Sequence, residues 1–266
     1  MLRHDGQLSY LFPLLSLSCI SNQVRSLRGA DERELRWIDD YKGIVRFKLK
    51  SQFPWGWVIY RTSYSDEKAW QRMKSLIHNE LMDSLKISKR MDLLLFNETI
   101  YMDDKAKFEG ATSHDIRDHF NNWVADTLTE QMDTTPSEQQ ELRDPCKNES
   151  FITWSLGTRY NFCLFVDDIC LESLDHMRWP VIKVLAKNFG MRGPGDRDYI
   201  VHPGWEDGET EEGEEEVGWM YTEVLELVSF YNTLMRIEPW YYRYCRPPSM
   251  FPPFDKSKFP GHWRKP

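Results

Sequence analysis

A short aromatic segment that runs directly into an amphipathic helix constrains this chain more than any other feature. Residues 56–60 are apolar and β-branched at their centre, so they predict a strand with both faces buried. Ser65 then offers a side-chain oxygen that caps a helix, and Asp66 and Glu67 follow in the first turn, where carboxylates favour the helix dipole. Apolar residues then recur every three or four positions, at Trp70, Met73, Ile77, Leu81 and Leu85. The segment therefore predicts a βα unit.

The other elements follow from the same two periodicities. Alternating or continuous apolar runs predict further strands, at 91–97 with an extension to 100–102, 159–166, 181–185 and 240–245. A second helix is expected to begin at Thr112 or Ser113, where Thr112 and Asp115 form a capping-box pattern. A third helix is expected over 219–236, and a short one over 169–174. Residues 129–149 are polar and contain two prolines, which predicts a surface loop with one helical turn.

The element order βαβ(α)ββαβ predicts an α+β sandwich of ferredoxin-like type. We expect an antiparallel sheet with the two main helices on one face and the second helix at an edge or on the other face. We also expect three parts along the chain: an N-terminal extension over 1–50, a single domain over 51–248 with an acidic insertion at 204–217, and a tail over 249–266 that is rich in proline and aromatic residues and packs on the domain.

The net charge of −8 comes from one segment. Eight carboxylates lie within the eleven residues 206–216, so the rest of the chain is close to balanced. General binding to nucleic acid is therefore not expected. Such a run is typical of a solvated insertion, and the alternative is a docking site for a basic partner. In that alternative the contacts would come from Glu211, Glu212, Glu214 and Glu215.

The cysteine content favours a cytoplasmic protein. The chain has five cysteines, which is an odd count, and no CxxC pair. It is also large for a disulfide scaffold. Secretion is the alternative, because residues 8–20 form an apolar run behind Arg3 and two glycosylation sequons begin at Asn97 and Asn148. The apolar run is too short to span a membrane.

No pattern in the sequence predicts a catalytic set, a metal site or a cofactor. The nearest candidate is Asp167-Asp168 at the end of a predicted strand, with His176 or His202 as a partner. Adjacent strand residues point to opposite faces, so the two carboxylates do not share one ion easily. A turn and helix cap is the preferred interpretation of this pair.

The remaining reactive residue types are also better explained structurally. His114 and His119 are five positions apart and do not share a helix face, so they are interpreted as surface histidines. Neither Cys163 nor Cys170 has a paired base in the sequence. Residues 190–195 (GMRGPG) lack the lysine or helix start of a phosphate cradle and are interpreted as a loop.

Four segments resemble a family of filamentous-fungal (ascomycete) proteins of unknown function. They read GWVIYRTSYSDEKAWQRM, RYNFCLFVDD, VGWMYTEV and WYYRYCRPP. The matching residues are Tyr60, Arg61, Thr62, Tyr64, Trp70, Arg159, Tyr160, Cys163, Val166, Asp167, Gly218, Trp219, Met220, Arg246, Pro247 and Pro248. The match covers 55–248 and leaves residues 1–50 outside. The resemblance implies an intracellular fungal protein and implies no catalytic residue.

We expect a non-enzymatic binding or interaction protein whose partner is a protein, a peptide or a small molecule. Aromatic residues make up 14% of the chain, and the predicted last strand carries several of them. The predicted ligand site comprises Trp240, Tyr242, Tyr244, Tyr60, Arg61 and Arg159. The alternatives are a hydrolase centred on Asp167 or Asp168, and a small secreted effector-like fungal protein.

Overall fold

The computed structural model describes residues 54–143, 157–188, 202–210, 216–236, 238–250 and 259–264, all within one compact unit that spans 32–266. The fold is α+β and contains a five-stranded mixed sheet in the order β2-β1-β3-β4-β5. The strands are β1 Val58–Arg61, β2 Ile100–Met102, β3 Phe162–Val166, β4 Val181–Ala186 and β5 Trp219–Glu223. The predicted extension over 1–50 lies outside the described residues.

Helices connect and cover these strands. They are α1 Glu67–Ile87, α2 Lys105–Phe108, α3 Ser113–Gln131, α4 Pro136–Arg143, α5 Thr158–Asn161, α6 Asp168–His176, α7 Leu227–Thr233 and α8 Glu238–Arg243. Short 3-10 helices lie at Met91–Phe96, Trp205–Asp207, Val224–Glu226 and His262–Arg264.

The predicted βα unit is confirmed. All four residues of β1 are buried, as expected for a strand that is covered on both faces. The cap of α1 is Asp66 rather than Ser65, and its carboxylate accepts a hydrogen bond from the Ala69 amide at 2.9 Å. The predicted stripe of α1 faces the core: it is fully buried except at Leu81, which is partly buried. The capping box of α3 is also formed, between Thr112 and Asp115.

Helices cover both faces of the sheet. Tyr60 points toward α3, where its hydroxyl lies 3.0 Å from Nδ1 of His119. Arg61 follows it on β1 and therefore points to the opposite face, where its guanidinium lies over the ring of Trp70 in α1. Helix α1 packs against α6 and α7 on that second face, and α3 packs against β4 on the first. Of the two positions expected for the second helix, an edge or the other face, the structure shows the other face.

The prediction of an antiparallel sheet is correct for two of the four strand pairs. β4 is antiparallel to β3 and to β5, as expected for the first of these pairs. β1, however, is parallel to both of its neighbours, β2 and β3. The sheet is therefore mixed, and the ferredoxin-like topology is not confirmed. Long helical connections make parallel pairing of β1 possible, because each returns the chain to the same end of the sheet.

Two predicted strands are helical in the structure. Residues 91–96 form a 3-10 helix, and the strand is confined to the extension at 100–102. Residues 238–243 form α8, so the aromatic segment 240–245 is not a strand. Pro239 lies in the first turn of α8, where proline is tolerated because its missing N–H has no partner there.

The predicted helix over 219–236 is wrong in its first third. Residues 219–223 form β5, and helix geometry begins only after them. Trp219 and Tyr221 point to one face of the sheet and Met220 to the other, which is the strand alternation. The free edge of β4 supplies the backbone partners, and Trp, Tyr and Thr are good strand formers. The segment therefore satisfies the sheet rather than its own helical periodicity.

The described ends of the acidic insertion pack on the domain. Trp205 is buried, and its ring centroid lies 4.9 Å from that of His114. The carboxylate of Glu206 accepts hydrogen bonds from the amide and hydroxyl of Ser113, at the N-terminus of α3. Carboxylates are favoured at that end of a helix dipole. These contacts correct the expectation of a solvated loop for this part of the insertion.

Gly208 lies in the first part of the acidic insertion and packs closely against the backbone of Pro247. Its φ is +85°, and a Cβ at this position would lie 2.2 Å from the carbonyl oxygen of Pro247. Arg246 fixes the same contact, since its Nη1 donates to the Gly208 carbonyl at 3.0 Å and to the Thr210 hydroxyl at 2.8 Å. Only glycine fits both the backbone angle and the space.

Leu227→Ala should lower the free energy of unfolding by about 2–5 kcal/mol, because Leu227 is a buried residue of the core. Leu95→Ala is the matched control, since 83% of Leu95 is exposed and its loss should change little. Urea denaturation of both variants makes the measurement. Equal stability of the two variants would contradict the packing of α7 described here.

Gly208→Ala should destabilise the protein by about 2–4 kcal/mol, from the positive φ and from the clash with Pro247. Gly110→Ala is the control for backbone strain alone, because φ is +70° there and nothing lies within 4 Å of an added Cβ. It should cost about 1 kcal/mol. Thermal melts compare the two, and an equal loss would mean that the contact with Pro247 does not hold the insertion.

Candidate functional site

The carboxyl ends of β2, β1 and β3 meet at one edge of the sheet because these strands are parallel. The chain leaves β1 through α1 on one face and reaches β3 through α3 on the other. The helices that leave these carboxyl ends, α1 after β1 and α6 after β3, pack against each other, and open α/β sheets bind ligands beyond the carboxyl ends of their strands. The polar surface beyond the ends of β1 and β3, which we call the crevice, is therefore the candidate functional site.

Asp168 is the exposed charged group of this crevice. It is the first residue of α6, directly after β3. Its Oδ1 accepts hydrogen bonds from the hydroxyl of Ser63 and, at 3.1 Å, from that of Ser65, both of which follow β1. Its Oδ2 has no hydrogen-bond partner among the residues that the structure describes. The two serines thus fix the carboxylate and leave one oxygen available.

Asp167 is held by the protein itself. Its Oδ1 caps α6 by accepting from the Cys170 amide at 2.9 Å, and its Oδ2 lies 2.7 Å from Nζ of Lys183. Burial alone would raise the pKa of Asp167, but the charge and hydrogen bond of Lys183 outweigh burial and hold the pKa below its ordinary value. The same pair raises the pKa of Lys183 against the effect of its burial. Both groups are charged at neutral pH.

Three aromatic rings surround the ammonium group of Lys183. Its Nζ lies 4.0 Å from the centroid of the Trp219 ring and 5.2 and 5.4 Å from those of Phe165 and Tyr221. Phe165, Lys183 and Tyr221 are directly paired across β3, β4 and β5, so they point to the same face. Such a box of rings with a carboxylate stabilises a buried ammonium. In this protein the ammonium group inside the rings is that of Lys183 itself.

Arg61 forms a second cluster on the β2 side of the crevice. Its guanidinium lies 4.2 Å from the centroid of the Tyr64 ring, and its Nη1 contacts Glu67 at 2.8 Å and Asp103 at 3.4 Å. Asp103 is fixed in turn by the indole N–H of Trp70 at 2.9 Å. Arg61 is buried and fully paired, so it shapes the edge of the site rather than offering a free charge.

The aromatic residues of the predicted ligand site do not form one surface. Trp240 is buried against Phe162, with ring centroids 5.4 Å apart, and the hydroxyl of Tyr244 accepts from the Val217 amide at 3.2 Å. Tyr242 points away from them and is 81% exposed. A helix at this position sends successive side chains in different directions, so the ring-lined face expected of a strand is not present.

Tyr60 and Arg159 are also structural. The Tyr60 ring packs edge-on against Phe108 and His119 in the core. Arg159 is buried, and its Nη1 donates to the carbonyls of Gly56 at 3.1 Å and Glu98 at 2.6 Å. Of the predicted ligand residues, only Arg61 borders the crevice. The predicted partner-binding residues Glu211, Glu212, Glu214 and Glu215 lie outside the described residues.

The histidines of the hydrolase alternative make other contacts. The hydrogen bonds of Asp167 and Asp168 within the described residues go to Lys183, the Cys170 amide and the two serines. His176 stacks on Trp263, and Nδ1 of His202 accepts from the Gly204 amide. Burial raises the pKa of the Cys170 thiol well above its ordinary value, which disfavours a thiolate.

Asp168 was considered in the sequence, but its serine partners were missed. Ser63 and Ser65 lie more than 100 positions before it, so only the pairing of β1 with β3 brings them together. The signal that would have found them is positional: polar residues follow two buried strands at their carboxyl ends, and parallel pairing places such residues at one edge. An antiparallel sheet, which the sequence analysis expected, would not bring these residues to one edge.

Within the ranges described, no group of three or more His, Cys, Asp or Glu residues is placed to hold a metal ion. In the same ranges no helix has both the length and the apolar character needed to cross a membrane. Comparison with models of protein families gives no match to this chain, and comparisons with curated proteins and with solved structures give none either.

Lys187 directly follows β4 and, like Lys183, is buried, but the two lysines differ in their ion pairing. Lys187 is 1% exposed and has no ion-pair partner among the described residues. Burial lowers its pKa to about 7. An unfolded lysine keeps a pKa of about 10.4, so the unfolded chain binds more protons between these two values. Stability contributed by this site therefore rises as the pH increases from 7 toward 10.

Lys187→Met should stabilise the protein at pH 6 by a few kcal/mol, because the charged amine then no longer has to be buried. The gain should shrink as the pH approaches 10, because the folded lysine is neutral there and the unfolded lysine, with a pKa of about 10.4, is beginning to lose its proton. Lys183→Met is the matched control: it leaves Asp167 without its partner and should destabilise the protein. Urea denaturation from pH 6 to 10 tests both, and a pH-independent effect of Lys187→Met would contradict its burial as a charged group.

Proposed function

We propose that this chain is a non-enzymatic binding protein that recognises a cationic group, a guanidinium or an ammonium, at the crevice between the ends of β1 and β3. The observation that carries the proposal is the exposed carboxylate of Asp168, which Ser63 and Ser65 hold through one oxygen while the other oxygen stays available. A charge-assisted hydrogen bond to a fixed carboxylate is among the stronger polar contacts.

The charges around the crevice support a cationic ligand. Asp66 and Glu67 are exposed at the start of α1, next to the serines that contact Asp168. The cations nearby are already neutralised, since Lys183 is paired with Asp167 and Arg61 with Glu67 and Asp103. An incoming cation therefore meets carboxylates, and the positive charges nearby, which include Arg264 paired with Glu172, each have a carboxylate partner.

A binding role fits these groups better than hydrolysis. Asp167 caps a helix and neutralises a buried lysine, so it is committed to the fold. A hydrolase would instead need a base or nucleophile whose proton transfer is supported by a neighbouring group. The contacts of Asp168 are two serine hydroxyls, which suit recognition of a hydrogen-bond donor.

The origin and location of the protein remain predictions. Several residues that carry the fungal resemblance, Arg61, Thr62, Tyr64 and Asp167, lie at or beside the crevice edge. We therefore propose that members of such a family share this site. Cytoplasmic location, with secretion as an effector-like protein as the alternative, is proposed on the sequence signals alone.

Asp168→Asn should weaken the binding of a triarginine peptide about tenfold or more, because it removes the charge and keeps the shape. Asp175→Asn is the matched control, since Asp175 is exposed on the same helix but pairs with Arg72 away from the serines. Isothermal titration at low salt, with triglutamate as the negative probe, makes the measurement. Equal affinity of wild type and Asp168→Asn for triarginine would reject this site.

A further inference from the structure

Residues 259–264, the C-terminal strap, lie against α6. The ring of Trp263 stacks on His176 with centroids 5.0 Å apart and an angle of 10° between the planes. Its indole N–H donates to Oε2 of Glu172 at 2.6 Å. Arg264 grips the same carboxylate through Nε at 2.8 Å and Nη2 at 2.6 Å. One carboxylate of α6 thus receives three hydrogen bonds from the strap.

The strap occupies the helix face that carries the proposed ligand group. Asp168, Glu172 and His176 are spaced four residues apart and therefore line one side of α6. Trp263 covers His176. The hydrogen bond to Glu172 raises the pKa of the Arg264 guanidinium most, and the charge of Asp168 raises it further. Gly261 adopts a φ of +81° and approaches the side chain of Ile169 on the same helix. This face of α6 therefore carries a bound peptide segment of known sequence, and we call the face the groove.

The strap is held weakly enough to be replaced. The side chains of Arg264 and Glu172 remain 42% and 39% exposed, and ion pairs with that exposure contribute little to stability. The aromatic stack adds a modest amount. A peptide with the same two groups would make the same contacts, because the groove offers a flat ring and a carboxylate rather than a closed pocket.

We propose that the Asp168, Glu172 and His176 face of α6 is a docking groove for peptides in which an aromatic residue is followed by arginine, and that the strap fills this groove in cis. The inference rests on the proposed function and deepens it by naming the ligand class. The strap then competes with an external peptide, and the apparent affinity is reduced by the fraction of molecules in which the groove is filled.

The test uses the full chain carrying Trp263→Ala and Arg264→Ala, which empties the groove, and a labelled peptide with the sequence of residues 259–266 (FPGHWRKP). Fluorescence anisotropy should show the peptide binding this variant at least about tenfold more tightly than wild type. A peptide in which alanine replaces its Trp and Arg should bind neither protein. Equal binding of FPGHWRKP to both proteins, or binding to neither, would overturn the proposal.

Two further variants separate this proposal from the fate of the Asp168 site. In the emptied chain, Glu172→Gln should reduce peptide binding about tenfold, whereas Asp175→Ala, on the same helix but paired with Arg72, should not. Thermal melts check that each variant is folded. If Asp168→Asn loses triarginine binding while Glu172→Gln leaves the binding of FPGHWRKP unchanged, the groove is rejected and the proposed function is kept. Peptide binding that depends on Glu172 but not on Asp168 would keep the groove and reject the Asp168 site.

Discussion

The parallel pairing of β1 with β3 is the constraint on which the rest of the structure depends. The two strands are separated by 100 residues, 62–161, and both are buried along their whole length. Parallel neighbours require long connections, and here those connections place α1 on one face of the sheet and α3 on the other. The aromatic content of the chain follows from this arrangement, because two wide sheet–helix interfaces have to be filled. Trp55, Trp70, Trp219 and Trp240 are among the largest fully buried side chains.

The same pairing decides where polar groups collect. Strands that are buried on both faces leave room for solvent-exposed charge only at their ends, and parallel strands bring those ends together. The charges at this edge are arranged in two layers. The inner layer, with the Asp167–Lys183 pair and Arg61, is neutralised within the protein and stabilises the edge. The outer layer is Asp168, whose carboxylate faces solvent and accepts hydrogen bonds from the hydroxyl groups of Ser63 and Ser65. A rigid inner layer is what keeps an outer carboxylate in one position.

Local signals were reliable where a segment had to satisfy only itself and one neighbour. The stripe of α1, the capping box of α3, the burial of β1, and the antiparallel pairing of β3 and β4 were predicted correctly. The errors lie in three apolar segments whose pattern fits more than one structure. Residues 91–96 and 240–243 form helical turns that pack rings or leucines on the core, whereas 219–223 adds a strand to an open sheet edge. Periodicity cannot choose between these outcomes, because a short apolar run fits either a strand or a helical turn.

The sequence by itself determined the class of the fold, the buried strand β1 with the apolar stripe of α1, and the capping box that starts α3. It also placed polar residues directly after two buried strands. Only the tertiary structure decided that those strands are parallel neighbours, and therefore that Ser63, Ser65 and Asp168 meet. It also decided that Glu172 and His176 receive the C-terminal strap. The reason is physical: caps and stripes depend on contacts within a few residues, whereas strand order and strap docking depend on contacts between segments about 90 to 100 residues apart.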